Sequence, residues 1–125
     1  MDSDCFCDFD PPTFSSIGIR KARKPHRCEE CGNKIRPGDS YEYVAGMWEG
    51  CFSQFKTCEH CRDLRVWTMN NIPCLCWCYG NMDEDIKYAI DDAIIRAPDE
   101  TRGLRFGLLR RISARDRFYK RRLAN

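Results

Sequence analysis

The stretch CEECGNKIRPGDSYEYVAGMWEGCFSQFKTCEHC, residues 28 to 61, decides the fold because it opens and closes on one spacing: Cys28-x2-Cys31 and Cys58-x2-Cys61, with 26 residues between the pairs. Four thiolates match the tetrahedral preference of Zn2+, and a two-residue spacer lets both sulfurs of a pair face the same ion. A disulfide half and a thioredoxin-type redox pair are the competing readings. The first residues, MDSDCFCDFDPPTF, are acidic and carry neither the basic region nor the apolar run of a secretory signal, which weighs against disulfides. No βαβ pattern surrounds either pair, which weighs against redox chemistry. A closed four-Cys site leaves no coordination position for water or substrate, so the expected zinc is structural. His26 and His60 flank the pairs, but with four sulfurs already supplied they read as exposed or neighbouring groups rather than ligands.

Between the pairs, Pro37, Gly38 and Asp39 supply turn chemistry, and two runs rich in Tyr, Val, Trp and Phe flank Glu49-Gly50. A two-residue turn there predicts a hairpin with Trp48 opposite Cys51, Met47 opposite Phe52 and Val44 opposite Phe55. The second Cys pair then enters a helix, CEHCRDLRVWTM, with Cys61, Leu64, Val66 and Trp67 partly on one face, ended by Asn70, Asn71 and Pro73. Knuckle, hairpin, helix is the order of a treble clef. The expected fold is therefore a small α+β zinc-binding one. Residues 1–27 form an irregular N-terminal arm, 28–71 the treble-clef module, 72–82 a cysteine-rich linker, and 83–125 a two-helix region forming a helical hairpin.

The chain has 125 residues and 10 cysteines, so its aliphatic and aromatic core is small and needs a staple. A second cluster, Cys74, Cys76 and Cys78, alternates along IPCLCWCYGN; with Cys5 or Cys7 it offers a possible second zinc site, and plain core packing is the alternative. After it, Ile86, Ala89, Ile90, Ala93, Ile94 and Ala97 recur at helical steps, as do Leu104, Leu108, Ile112, Tyr119 and Leu123. Charge separates the two helices. Asp83 to Glu100 holds seven acids against Lys87 and Arg96, whereas Thr101 to Asn125 holds nine Lys or Arg against Asp116 alone. In an antiparallel pair the two segments would partly cancel. No apolar run is long enough to cross a bilayer, so no membrane partner is expected.

The segment from Ala22 to Arg65 resembles a group of short proteins encoded by bacteriophages and prophages. The likeness rests on ARKPHRC, the C-x2-C-G knuckle, PGDSYE, the Gly-x-Trp-x-Gly turn and FKTC, about a third of the chain. More loosely it looks like the treble-clef and LIM-like zinc class. The resemblance implies a cytoplasmic setting in a bacterial host cell and carries no established activity. With no metal-binding His and acid constellation, no phosphate-binding Gly loop and no nucleophilic Ser in context, neither an enzyme nor a small-molecule substrate is expected. Two binding functions remain. One is an adaptor or inhibitor that engages a host protein or nucleoprotein complex through Trp48, Phe52 and Phe55. The other is nucleic-acid binding, to DNA or RNA, by Arg110, Arg111, Arg115, Arg121 and Arg122.

Overall fold

The computed structural model describes residues 14–123. Its core element is a three-stranded antiparallel sheet, order β1-β4-β5, from Phe14–Lys21, Ser40–Trp48 and Cys51–Cys58. A two-residue ribbon pairs β2, His26–Arg27, with β3, Lys34–Ile35. Three helices follow: α1, Glu59–Asn71; α2, Met82–Arg96; and α3, Leu104–Leu123. The hairpin register is the one its turn predicts, with Trp48 opposite Cys51, Met47 opposite Phe52 and Val44 opposite Phe55. Glu49 and Gly50 both take positive φ, +50° and +79°, so the turn twists with its strands.

The N-terminal arm is not irregular throughout. Phe14 to Lys21 pairs along its length with β4, from Phe14 opposite Met47 to Lys21 opposite Ser40. Its Ser-Ser and Gly dilute the local strand signal, and the partner that makes it a strand lies far along the chain, from Lys21 opposite Ser40 to Phe14 opposite Met47. Residues 1–13, which include Cys5 and Cys7, lie outside the described residues.

The helices build the core on one side of this sheet. In α2 the predicted stripe is buried at Ile86, Ile90 and Ala93, joined by Met82. Two stripes need correction. In α1, Val66 faces out while Leu64, Arg65 and Thr68 are buried, because Arg65 reaches the sheet. In α3, Leu108 and Tyr119 are buried but Leu123 is 81% exposed, and Arg115 occupies the interior position between them. α3 crosses α1 at Gly107, where an added Cβ would sit 3.0 Å from the Trp67 ring and force that ring to shift, so the close approach favours glycine.

Candidate metal centre

The two C-x2-C pairs converge from opposite directions. Gly32, at φ +75°, lets the first knuckle turn back on itself; its N–H donates to the Cys28 carbonyl at 3.0 Å, and the Cys28 N–H donates to the Asn33 carbonyl at 2.9 Å. A bond from the Glu29 N–H to the Lys56 carbonyl, 2.9 Å, ties this knuckle to β5. β5 then delivers Cys58 to the start of α1, whose first turn carries Cys61. Cys28, Cys31, Cys58 and Cys61 have their sulfurs all within 4.8 Å of one another, and the Cys31 and Cys58 sulfurs lie 3.8 Å apart. Four ligands at a Zn–S length of about 2.3 Å on a tetrahedron have edges of about 3.8 Å, so the donor set fits such an ion.

Backbone and side chains around the sulfurs favour thiolate. The N–H groups of Glu30 and Cys58 donate to Cys28 Sγ at 3.4 and 3.3 Å. The Cys58 and Cys61 sulfurs sit at the positive end of α1. Sharing protons among four sulfurs splits them: hydrogen bonds from its three neighbours hold the Cys31 thiol far below the usual range, and the same contacts push Cys58 and Cys61 up. A divalent cation removes that conflict by replacing the protons, so loading releases protons and weakens as pH falls.

The C-terminal helix reaches this cluster. Arg115, 6% exposed, directs Nη1 at Cys61 Sγ, 3.6 Å, and grips Asp83 of α2 with two bonds of 2.9 Å; its Nε donates to Asp116 at 3.1 Å. Burial opposes the charge on this guanidinium, but the Asp83 carboxylate outweighs it and raises the pKa well above the usual value. Tyr119 packs beside it, its hydroxyl pushed up by burial and by Cys58. One cation therefore joins the sulfur cluster, α2 and α3.

The remaining expected site residues divide. Trp48 packs edge-on to Phe55 at 5.6 Å, and Phe55 stacks on Tyr79 of the linker at 4.6 Å, so both half-buried rings are engaged in the protein's own packing; Phe52 is 55% exposed on the other side of the sheet. Arg111 lies over the Trp67 ring at 4.2 Å, and Arg122 donates to Asp39 at 2.7 Å. Arg110 and Arg121 are exposed and have no partner among the described residues. In the linker, the Cys74 and Cys76 sulfurs stand 3.6 Å apart on one side of the chain, as alternation requires, while Cys78 is a free thiol. Among the described residues, Cys28, Cys31, Cys58 and Cys61 are the sole group of three or more side chains placed to hold a metal ion. The His26 ring packs tilted against Tyr41 and that of His60 against Phe118, and neither enters the group.

Sequence reasoning missed two carboxylates that organise the surroundings. Glu30, within the knuckle, accepts from the Gly80 and Met82 N–H groups at 2.9 and 3.0 Å and so clasps the linker to the metal centre. Glu42, 4% exposed on β4, accepts from Arg65 at 2.6 Å. Glu42 carried a weak signal: it shares a strand face with Val44, two residues on, which is buried. Glu30 carried none, because its partners are backbone groups fifty residues away. Compared with known protein families, curated proteins and solved structures, the chain matches none.

Proposed function

We propose that the chain is a non-enzymatic, zinc-stabilised adaptor or inhibitor of the phage type, working in the cytoplasm of a bacterial host and engaging a host protein or nucleoprotein complex through the outer face of α3. The metal is zinc in a treble-clef setting, held by Cys28, Cys31, Cys58 and Cys61. The donor chemistry supports this: four sulfurs at tetrahedral separation suit a soft-accepting, redox-silent ion. Four protein ligands close the coordination shell, so the ion holds surfaces in place rather than activating water.

The observation that carries the binding reading is the composition of that outer face. Arg110, Arg117, Lys120 and Arg121 are exposed without carboxylate partners among the described residues. Phe106 and Leu109, 69% and 55% exposed, stand beside them over a shallow depression lined also by Arg110, Ser113 and Arg117. Cations beside exposed apolar side chains suit an acidic partner surface with an apolar patch. The hairpin aromatics first expected as anchors are replaced in this role, since Trp48 and Phe55 are spent on internal packing. Capture from a nuclease-treated bacterial lysate tests the reading: the native chain should retain one stoichiometric protein that Arg110→Glu/Arg117→Glu/Arg121→Glu loses. Identical retention by both proteins would reject it.

The same unpaired cations favour a second reading, direct phosphate contact by α3. Its mark would be binding to duplex DNA or RNA that falls steeply with salt and disappears in the same triple variant.

A further inference from the structure

The sheet has two sides of opposite character. Directly paired residues of an antiparallel sheet project to the same side, so the register sorts the side chains. One side carries Glu42 with Thr57 and Val44 with Phe55, and over β4 and β5 it is closed by α1 through Arg65 and by the linker through Tyr79, while Ile17 and Ile19 of β1 stay exposed at its edge. The other side carries Gly18, Tyr43 and Lys56 in one row, Ser16, Ala45 and Gln54 in the next, and Met47 with Phe52 nearest the turn. Among the described residues only its lowest row, Tyr41 with Cys58, is covered, by the knuckle and by His26, whose ring lies tilted 5.2 Å from Tyr41.

Above that row the surface is open. Ser16, Gly18, Phe52 and Gln54 are exposed there, Tyr43 and Lys56 half-buried, and a Cβ built on Gly18 meets nothing within 4 Å; Arg20, at the β1 end of the row below, is exposed too. Arg20 lies over the Tyr43 ring at 3.9 Å. No Asp or Glu among the described residues projects from any of the three strands on this side: Glu42 points the other way, into its bond with Arg65.

We propose that this open face is a platform for single-stranded nucleic acid. Arg20 and Lys56 would take phosphates, with no carboxylate of the described residues on the face to oppose them. Phe52 offers an exposed ring on which a base stacks, and the Tyr43–Arg20 pair a second stacking surface. Ser16 and Gln54 between them supply hydrogen-bonding groups. From Phe52 to Lys56 is four residues of extended chain, about 13 Å, a length for roughly two or three unstacked nucleotides. Among the described residues no helix projects from this face to enter a duplex groove, which favours single strands. This site lies on a different surface from the α3 face and stands or falls separately from it.

Fluorescence anisotropy with the full-length, zinc-loaded chain tests the proposal, using short oligo(U), oligo(dT), a duplex of mixed sequence, and poly-glutamate as an acidic protein-like competitor. Saturable single-strand binding at low salt is expected, with duplex and poly-glutamate weaker by about tenfold or more. Tighter oligo(U) than oligo(dT) would identify RNA as the source and the reverse DNA, both in support. Lys56→Glu and Arg20→Glu should each weaken binding by roughly tenfold and reduce the salt slope by about one. Phe52→Ser should weaken it by roughly tenfold with the slope unchanged, because stacking involves no counterion release, and Phe52→Tyr should restore it. Unchanged zinc content and far-UV circular dichroism would show that the variants are folded. Absence of single-strand binding, equal affinity for duplex or poly-glutamate, or indifference to these substitutions overturns the proposal. Loss of binding only on reversing Arg110, Arg117 and Arg121 also overturns it, while leaving the α3 face in play.

Discussion

The two faces of α3 carry the same kind of residue to different ends. Inward, Arg115 meets Cys61 and Asp83, Arg122 meets Asp39, and Arg111 lies on Trp67. Outward, Arg110, Arg117, Lys120 and Arg121 have no partner among the described residues. A basic tail counted from sequence is thus not a binding footprint. Part of its charge is consumed by the acids of α2, by Asp39 and by the thiolate cluster, and only the remainder is available to a partner.

Under the proposed zinc assignment, the inward face depends first on the ion. Chelation, or Cys58→Ser, should unfold the sulfur-centred half of the molecule, since a structural zinc contributes on the order of 10–16 kcal/mol at neutral pH. α3 should lose protection from proteolysis at the same chelator concentration as zinc leaves. Lowering the pH should release zinc too, because protons compete for the thiolates. Continued protection of α3 in the metal-free chain would break the comparison, showing that its inward cations do not need the cluster.

Next in size is Arg115 against Arg117. Arg115→Leu strands the Asp83 carboxylate and removes a cation from beside the cluster. Breaking a buried pair typically costs 3–5 kcal/mol, and since Asp83 is a third exposed the low end applies, about 3 kcal/mol. Arg117→Leu, two residues on but exposed, should change stability by no more than about 0.5 kcal/mol. Urea unfolding of the two variants gives the difference directly; equal effects would erase the distinction between the faces.

A smaller effect is expected at Asp39, where the Arg122 guanidinium holds the carboxyl below its usual range, helped by the Arg36 N–H at 2.8 Å. A depressed carboxyl stabilises the fold above its unfolded pKa, and the contribution disappears as pH falls through the folded value. Asp39→Asn should cost about 1 kcal/mol at neutral pH and flatten the stability profile below the ordinary carboxylate range. An unchanged profile would mean that the C-terminal end of α3 is not anchored through this pair.

How much of this was legible beforehand follows the range of the interactions. The hairpin register could be read because a two-residue turn fixes every pair beyond it, and the metal group because ligand spacing is local chemistry. β1 could not, because its pairing is supplied by a distant strand edge. Arg115 was read as an outward cation although it lies three residues after Ile112 and four before Tyr119, on the apolar stripe itself. The position held the clue: an arginine on a buried stripe implies a buried anion, and here the stripe runs over thiolates and Asp83.

The outward face is where stability should change least and binding most. In Arg110→Glu/Arg117→Glu/Arg121→Glu, no internal ion pair is broken, so melting should stay within a few degrees of the native chain. Phe106 and Leu109 are also exposed enough that Phe106→Ser/Leu109→Ser removes little buried area. If the face docks an acidic surface with an apolar patch, the charge reversal should slow association and make it less salt-sensitive, whereas the apolar pair should mainly speed dissociation. That kinetic split is the sharpest test of the two-face picture. A charge reversal that destabilised the fold as Arg115→Leu does would show that the outer cations are structural after all, and the proposed adaptor surface would have to be sought elsewhere.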